Sequence, residues 1–148
     1  MYHSAPDLPF DISTIKTLIP HRYPLLLVDK VIELEPKVYI KSCKSVTYGE
    51  PIFQGHFPDR PIYPAVFMLE GMAQSATILG RFSLDQNFKE VMFTGIDTAR
   101  FKKPVTPGHT ITYNVKMTKT RKAFAWFIGE ANVDGDVICT SEFSAYMQ

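Results

Sequence analysis

The chain has 148 residues, of which 45% are hydrophobic, and its formal net charge at pH 7 is +1. This balance gives no indication of nucleic-acid binding. Polar residues interrupt the longest apolar run, so no membrane insertion is expected, and without a predicted secretory leader we expect a cytoplasmic protein. No linker or shift in composition divides the sequence, which predicts one domain over residues 1–148 with residues 1–10 as a flexible N-terminal extension.

The predicted elements are one short helix, one long helix and several strands. Asp11 is expected to cap a short helix that ends before Pro20. The long helix is predicted at about residues 65–82. Strands are predicted over residues 25–34, 38–46, 110–117, 122–133 and 137–147, the last two joined by a tight turn at Asp134 and Gly135. One long helix against a set of strands is an α+β arrangement.

Glu70 lies inside the only long apolar segment, residues 64–79. On a helix buried on nearly every side, an unpaired carboxylate costs several kcal/mol when ionised, so it tends to keep its proton and suits general acid catalysis. However, Glu70, Gln74, Thr77 and Arg81 follow helical spacing, which is also typical of a polar stripe facing water. The periodicity leaves both interpretations open.

His56 lies upstream in a loop rich in proline, residues 53–64. The prolines and Gly55 favour a rigid extended loop, and Pro64 suits the first position of a helix. This loop would deliver an imidazole, whose ordinary pKa suits a base near neutrality, to the start of the helix that carries Glu70. A lone loop histidine is also commonly structural, so an acid–base pair is one of two interpretations.

Three sequence blocks resemble the β-hydroxyacyl-acyl carrier protein dehydratases of the FabZ type. They read FQGHFPDRPIYPAVFMLEGMAQ over residues 53–74, LIPHRYPLLLVD over residues 18–29 and GIDTARFKKPVTPG over residues 95–108. The resemblance covers roughly residues 12–147. It implies a hotdog fold, in which a curved antiparallel sheet wraps a long central helix. It also implies loss of water from a (3R)-3-hydroxyacyl thioester to give the trans-2-enoyl thioester in type II fatty acid biosynthesis, without a cofactor.

Carried over by position, the resemblance implies that His56 and Glu70 are catalytic. Neutral His56 would take the proton from C2, and protonated Glu70 would donate to the departing C3 hydroxyl. The start of the helix at Ala65, with Val66 and Phe57 beside it, is expected to bind the thioester oxygen through free backbone N–H groups. Family members usually have glycine where this chain has Ala65. No metal site is predicted, since the histidines lack metal-ligand spacing.

The implied partner is an acyl carrier protein that carries a 3-hydroxyacyl chain on phosphopantetheine. Arg100, Lys102 and Lys103 are candidate contacts for this acidic protein, or a solvated cluster at the end of a strand. His21 and Arg22 are interpreted as structural. In family members the histidine and glutamate of one site come from different subunits, so the resemblance implies a homodimer and a trimer of dimers.

Two other functions remain open at this point. A hotdog thioesterase would need an activated water and no histidine paired with the helix acid, and His56 beside Pro58 argues against it. A non-catalytic acyl-carrier-binding module that lost turnover is conceivable because of Ala65. The sequence leaves open the acyl chain length and the choice between general fatty acid synthesis and a dedicated lipid or polyene pathway.

Overall fold

The computed structural model describes residues 5–84 and 87–148 as an antiparallel sheet of seven strands with two α-helices and one 3-10 helix. The strands are β1 (Phe10–Asp11), β2 (Lys30–Glu35), β3 (Tyr39–Ser45), β4 (Val91–Phe101), β5 (Thr110–Arg121), β6 (Phe124–Val133) and β7 (Asp136–Met147). The helices are α1 (Ile12–Leu18) and α2 (Ala65–Ser83), and the 3-10 helix covers Pro51–Gln54. The predicted α+β class and hotdog fold are confirmed, and the strand order is β1-β2-β3-β5-β6-β7-β4.

Local sequence determines several element boundaries. The side chain of Asp11 accepts a hydrogen bond of 3.0 Å from the N–H of Ser13, which caps α1, and α1 ends at Leu18 as predicted. β6 and β7 are joined by Asp134 and Gly135, whose φ angles are 51° and 84°. Two consecutive positive φ angles are typical of the two-residue turns that match the twist of a hairpin.

The strand predicted at residues 25–34 begins only at Lys30. The backbone of the preceding residues is used elsewhere, because the N–H of Leu27 donates to the side chain of Gln74 and the C=O of Leu25 accepts from it. These bonds tie the segment to α2 instead of to a neighbouring strand. Tertiary contacts therefore override the local strand preference.

β4 is a long strand that periodicity did not identify. It pairs along its length with β7, with two register shifts, and stands at the end of the strand order. Most of its side chains are exposed, including Met92, Phe93, Ile96 and Phe101. Its apolar residues do not follow a clean alternation, which explains why the period-two signal is weak.

The sheet packs on α2 and encloses the hydrophobic core. Met68, Met72 and Leu79 of α2 are almost fully buried in one cluster with Tyr113 of β5 and Phe127 of β6. From Met68 to Gly80, every residue of α2 except Glu70 and Ala73 is buried, so the helix is enclosed on nearly every side.

Gly71 allows the closest approach between α2 and the sheet. A Cβ added at this position would lie 2.4 Å from both the Cζ and the hydroxyl oxygen of Tyr113. Only a residue without a side chain fits between the helix axis and this fully buried phenol.

The N-terminal region is described from residue 5 onward. The predicted flexible extension covers residues 1–10, of which residues 1–4 lie outside the described residues. Phe10 is buried and pairs with Val31, so the sheet begins inside the predicted extension. Over the described ranges, no helix has the length and apolar character needed to cross a bilayer.

Candidate active site

Glu70 has two side-chain partners on the same carboxylate oxygen. Its Oε1 accepts a hydrogen bond of 2.9 Å from Nε2 of Gln74 and lies 3.4 Å from Nε2 of His21. The Glu70 side chain is 25% exposed. The prediction that Glu70 is an unpaired buried carboxylate is therefore wrong. The alternative, a polar stripe that faces water, is also wrong, because Gln74 and Thr77 are almost completely buried.

Gln74 holds this arrangement in place. Its Oε1 accepts a hydrogen bond of 2.8 Å from the N–H of Leu27, and its Nε2 donates to the C=O of Leu25 at 2.7 Å. Since a backbone N–H can only donate, the amide orientation is determined, and Nε2 must be the atom that faces Glu70. The sequence contained one signal for this contact, the i, i+4 spacing of Glu70 and Gln74.

The sequence predicts a structural role for His21 and does not predict its contact with Glu70. His21 lies in the loop after α1, its side chain is 22% exposed, and its Nε2 faces Glu70. Burial lowers the pKa of His21 from 6.5, the carboxylate of Glu70 opposes this change, and the guanidinium of Arg22 adds to it. No sequence pattern brings this loop to α2, so the contact follows from the tertiary structure alone.

The side chain of Arg22 binds backbone carbonyls at and after the end of α1. Its guanidinium donates to the backbone carbonyls of Lys16, Ile19 and His21 at 2.8, 2.9 and 2.6 Å. These carbonyls include groups that a helix end leaves without an intrahelical partner. The interpretation of Arg22 as structural agrees with these contacts.

His56 is held in one orientation by its loop. Its Nδ1 lies 2.7 Å from the carbonyl oxygen of Ile62. Because a carbonyl can only accept, Nδ1 carries the proton of the neutral ring and Nε2 keeps a free lone pair. The ring of Phe57, which is 50% exposed, stacks on the imidazole with centroids 4.1 Å apart. Two backbone bonds, from His56 N–H to Ile52 and from Ile62 N–H to His56, fix the loop.

The start of α2 lies beside this loop. Pro64 is the residue before the helix and not its first residue as predicted, and it makes no side-chain cap. Ala65 and Val66 are in the first turn of α2, so their N–H groups have no intrahelical partner. These groups lie at the positive end of the helix dipole. Val66 is 61% exposed. Ala65 lines a cleft of about 230 Å³, called here the Ala65 cleft, together with Ile62.

Two of the three predicted carrier contacts also line the Ala65 cleft. Lys102 and Lys103 are exposed residues of its lining, called here its rim, whereas Arg100 is exposed on β4 and does not line it. Lys103 forms an exposed ion pair of 2.6 Å with Asp136 and lowers the pKa of that carboxyl. Exposed pairs of this kind contribute little to stability, so Lys103 can exchange partners.

His56 and Glu70 belong to separate clusters within one chain. Among the described residues, no hydrogen bond or ion pair joins them, since His56 contacts Ile62 and Glu70 contacts His21 and Gln74. The same part of the chain contains no group of three or more His, Cys, Asp or Glu that could hold a metal ion. The arrangement offers a base, an acid and backbone donors for proton-transfer chemistry.

Comparison with known proteins gives consistent matches over most of the chain. A FabA-like domain model matches residues 19–142. The 3-hydroxyacyl-[acyl-carrier-protein] dehydratase FabZ of Colwellia psychrerythraea is 49% identical over 136 residues, which cover 90% of this chain and 91% of that protein. The protein of the same name from Rhodopseudomonas palustris is 45% identical over 139 residues, which cover 93% of this chain and 92% of that protein.

Solved structures give a more distant match. The dehydratase heterocomplex ApeI:P from Xenorhabdus doucetiae superimposes with a TM-score of 0.74 at 20% identity and covers 90% of each chain. The virulence protein Cj0977 from Campylobacter jejuni gives a TM-score of 0.69 at 16% identity. At these identities the similarity shows the fold alone.

Proposed function

Because the chain belongs to the FabA-like family, we propose that it is a 3-hydroxyacyl-[acyl-carrier-protein] dehydratase. The observation that carries this proposal is the 49% identity to a FabZ dehydratase across nine tenths of both chains. The reaction breaks the C2–H and C3–O bonds of a (3R)-3-hydroxyacyl thioester. The C2 proton and the C3 hydroxyl leave as water, and a trans-2-enoyl thioester remains. A cytoplasmic location and a role in type II fatty acid synthesis are part of the proposal.

In this proposal His56 is the general base. The bond from Nδ1–H to the carbonyl of Ile62 leaves Nε2 as the basic nitrogen, and it fixes the ring so that Nε2 approaches C2 in one direction. Such positioned proton transfer typically contributes ~10²–10⁴-fold to the rate. Phe57 is half exposed, stacks on one side of the imidazole and can exclude water from that side when substrate binds.

Glu70 is the general acid that protonates the departing C3 hydroxyl. Gln74 and His21 both contact Oε1, which leaves Oε2 as the oxygen that faces the substrate. The acid role requires Glu70 to carry a proton when substrate is bound.

The start of α2 stabilises the charge that develops on the thioester oxygen. Removal of the C2 proton places negative charge on this oxygen, and the N–H groups of Ala65 and Val66 are donors at the positive end of the helix. One fixed donor of this kind is typically worth ~2.7–4 kcal/mol in the transition state. A backbone donor does not depend on the side chain, so Ala65 can supply it as well as glycine.

The proposed active unit is a homodimer in which each site combines His56 of one subunit with Glu70 of its partner. Two observations support it: His56 and Glu70 lie in separate clusters of one chain, and β4 ends the described sheet with exposed apolar side chains. A long apolar edge strand is a template for pairing with a second copy. Assembly of three such dimers into a hexamer is proposed from the resemblance to the family.

The carrier protein is proposed to dock at the rim of the Ala65 cleft. Lys102 and Lys103 line this rim next to the start of α2, and Arg100 is exposed on the adjoining strand. Cations at the entrance attract an acidic carrier and bring its thioester toward Ala65.

Replacement of one rim cation tests the docking proposal. Lys102→Glu is expected to raise KM for the carrier-bound substrate, most strongly at low salt, and to leave turnover of a short pantetheine thioester unchanged. Lys30→Glu is the matched control, because Lys30 is exposed on β2, far from β4 in the strand order. Equal effects of the two substitutions would place the docking surface elsewhere.

Direct turnover tests the proposed function. The wild-type protein, incubated with 3-hydroxyacyl-carrier substrates of several lengths, is expected to form enoyl products. His56→Ala and Glu70→Gln are each expected to lose ~10²-fold or more in kcat while they keep fold and substrate binding. His109→Ala and Glu33→Gln are controls of the same residue types, since His109 bonds to Thr106 and Glu33 to Tyr39. Release of free carrier thiol would instead indicate a thioesterase, and binding without turnover a non-catalytic module.

A further inference from the structure

Two side chains converge on one oxygen of Glu70. Gln74 donates to Oε1 from a determined amide orientation, and Nε2 of His21 lies 3.4 Å from the same atom. Among the described residues, no hydrogen bond involves Oε2 of Glu70. Oε1 already accepts from Gln74 and faces a second ring nitrogen, so the proton of a neutral Glu70 belongs on Oε2.

We propose that His21 is a positioning residue that donates from Nε2 to Oε1 of Glu70 and so directs the acidic proton to the substrate side on Oε2. The inference rests on the proposed function, in which Glu70 is the general acid. The distance of 3.4 Å is longer than an ideal hydrogen bond. Catalytic hydrogen bonds are often long in the free enzyme and shorten when substrate binds.

The surroundings of His21 select the protonation form that this role needs. Its Nδ1 is buried and has no hydrogen-bond partner in the described part of the chain. A proton on Nδ1 would leave a buried donor unsatisfied, which costs ~1–3 kcal/mol, so the single proton of the neutral ring belongs on Nε2. The imidazolium form would need that same unsatisfied Nδ1–H. The geometry therefore disfavours protonated His21.

The charged groups that act on His21 come from two elements. The carboxylate of Glu70 on α2 favours the imidazolium, whereas the neighbouring guanidinium of Arg22 disfavours it. Below the lowered pKa of His21, the ring would carry a second N–H on the buried Nδ1, so the contact that positions Glu70 requires the neutral ring. Acidic pH is therefore expected to disturb the positioning of Glu70 through protonation of His21.

Two substitutions separate positioning from a structural role. In His21→Gln the terminal amide nitrogen can occupy the place of Nε2 and donate without titrating, whereas His21→Leu keeps similar volume and has no donor. In the full-length protein at neutral pH, His21→Leu is expected to lose about 10-fold or more in kcat, up to ~10²-fold, with KM nearly unchanged. His21→Gln is expected to keep most of the kcat. The acid limb of its kcat–pH profile should be less steep than that of the wild type.

His109→Gln is the matched control, since the hydrogen bonds of His109 are with Thr106 and Val46 and not with Glu70 or His56. It is expected to leave both kcat and the acid limb unchanged. The inference is wrong if His21→Leu and His21→Gln have equal kcat, whether both are active or both are impaired. It is also wrong if His21→Gln retains the wild-type acid limb.

NMR titration of the His21 imidazole tests the contact without turnover. Because the Glu70 carboxylate opposes the lowering of the His21 pKa, Glu70→Gln is expected to lower that pKa further in the free protein. An unchanged titration would overturn the inference even in an active dehydratase. If the titration shifts but the wild type forms no enoyl product, the contact is real and the proposed function is wrong.

Discussion

At the scale of single residues, one hydrogen bond orients each of the two proposed catalytic groups. Nδ1–H of His56 donates to the carbonyl oxygen of Ile62, which leaves the lone pair of Nε2 free. The amide nitrogen of Gln74 donates to Oε1 of Glu70, and among the described residues no hydrogen bond involves Oε2. Each assignment follows from a partner that can only accept or only donate in that position.

Ala65→Gly tests the role of the methyl group at the start of α2. The change removes the side chain from the Ala65 cleft and keeps the N–H, so kcat/KM for short 3-hydroxyacyl substrates is expected to rise, by at most ~10²-fold. Glycine in the helix should lower the free energy of unfolding by about 0.5–1 kcal/mol. Steady-state kinetics with several chain lengths and denaturant unfolding measure the two effects.

Ala73→Gly is the control for this substitution, because Ala73 is half-buried on α2 and does not line the cleft. It should lower stability to a similar degree without improving turnover. If Ala65→Gly leaves every substrate unchanged or slower, the methyl does not press on the bound thioester.

At the scale of secondary-structure elements, the position of α2 depends on its contact with β5. Gly71→Ala would place a methyl 2.4 Å from the phenol of Tyr113, which is fully buried and cannot move into solvent. Such overpacking typically costs ~1–3 kcal/mol, so the denaturant midpoint should fall with little change in the slope. Gly55→Ala is the control, since its added Cβ meets nothing within 4 Å. Equal midpoints for the two variants would show that α2 shifts without cost.

At the scale of the whole molecule, we predict that two subunits of a dimer together form each active site. His56→Ala subunits and Glu70→Gln subunits are each expected to be inactive, but a mixed dimer would contain one site with both residues intact. Mixing the two proteins under conditions that let dimers exchange should restore part of the activity. The measurement is enoyl formation before and after exchange, with exchange followed by a mass tag. No recovery despite demonstrated exchange would place both residues of a site in one chain.

The sequence by itself determined the fold class and most of its elements. Asp11 caps α1, Asp134 and Gly135 form the hairpin turn, and alternating residues identify β5. Each of these features depends on neighbours a few residues away, which a sequence shows directly. The resemblance of three blocks to the FabZ type led to the hotdog fold and to the family, both of which are confirmed. The roles of His56 and Glu70 stay predictions.

Only the tertiary structure determined which groups surround Glu70. Glu70 is neither unpaired nor turned to water, because the loop after α1 brings His21 to α2 and the backbone at residues 25–27 binds Gln74. These partners are distant in sequence, and no periodic pattern encodes their contact. The same backbone bonds delay the start of β2 to Lys30. Burial and hydrogen-bond partners are properties of the packed chain, so the chemistry of Glu70 could not be derived from its position on the helix alone.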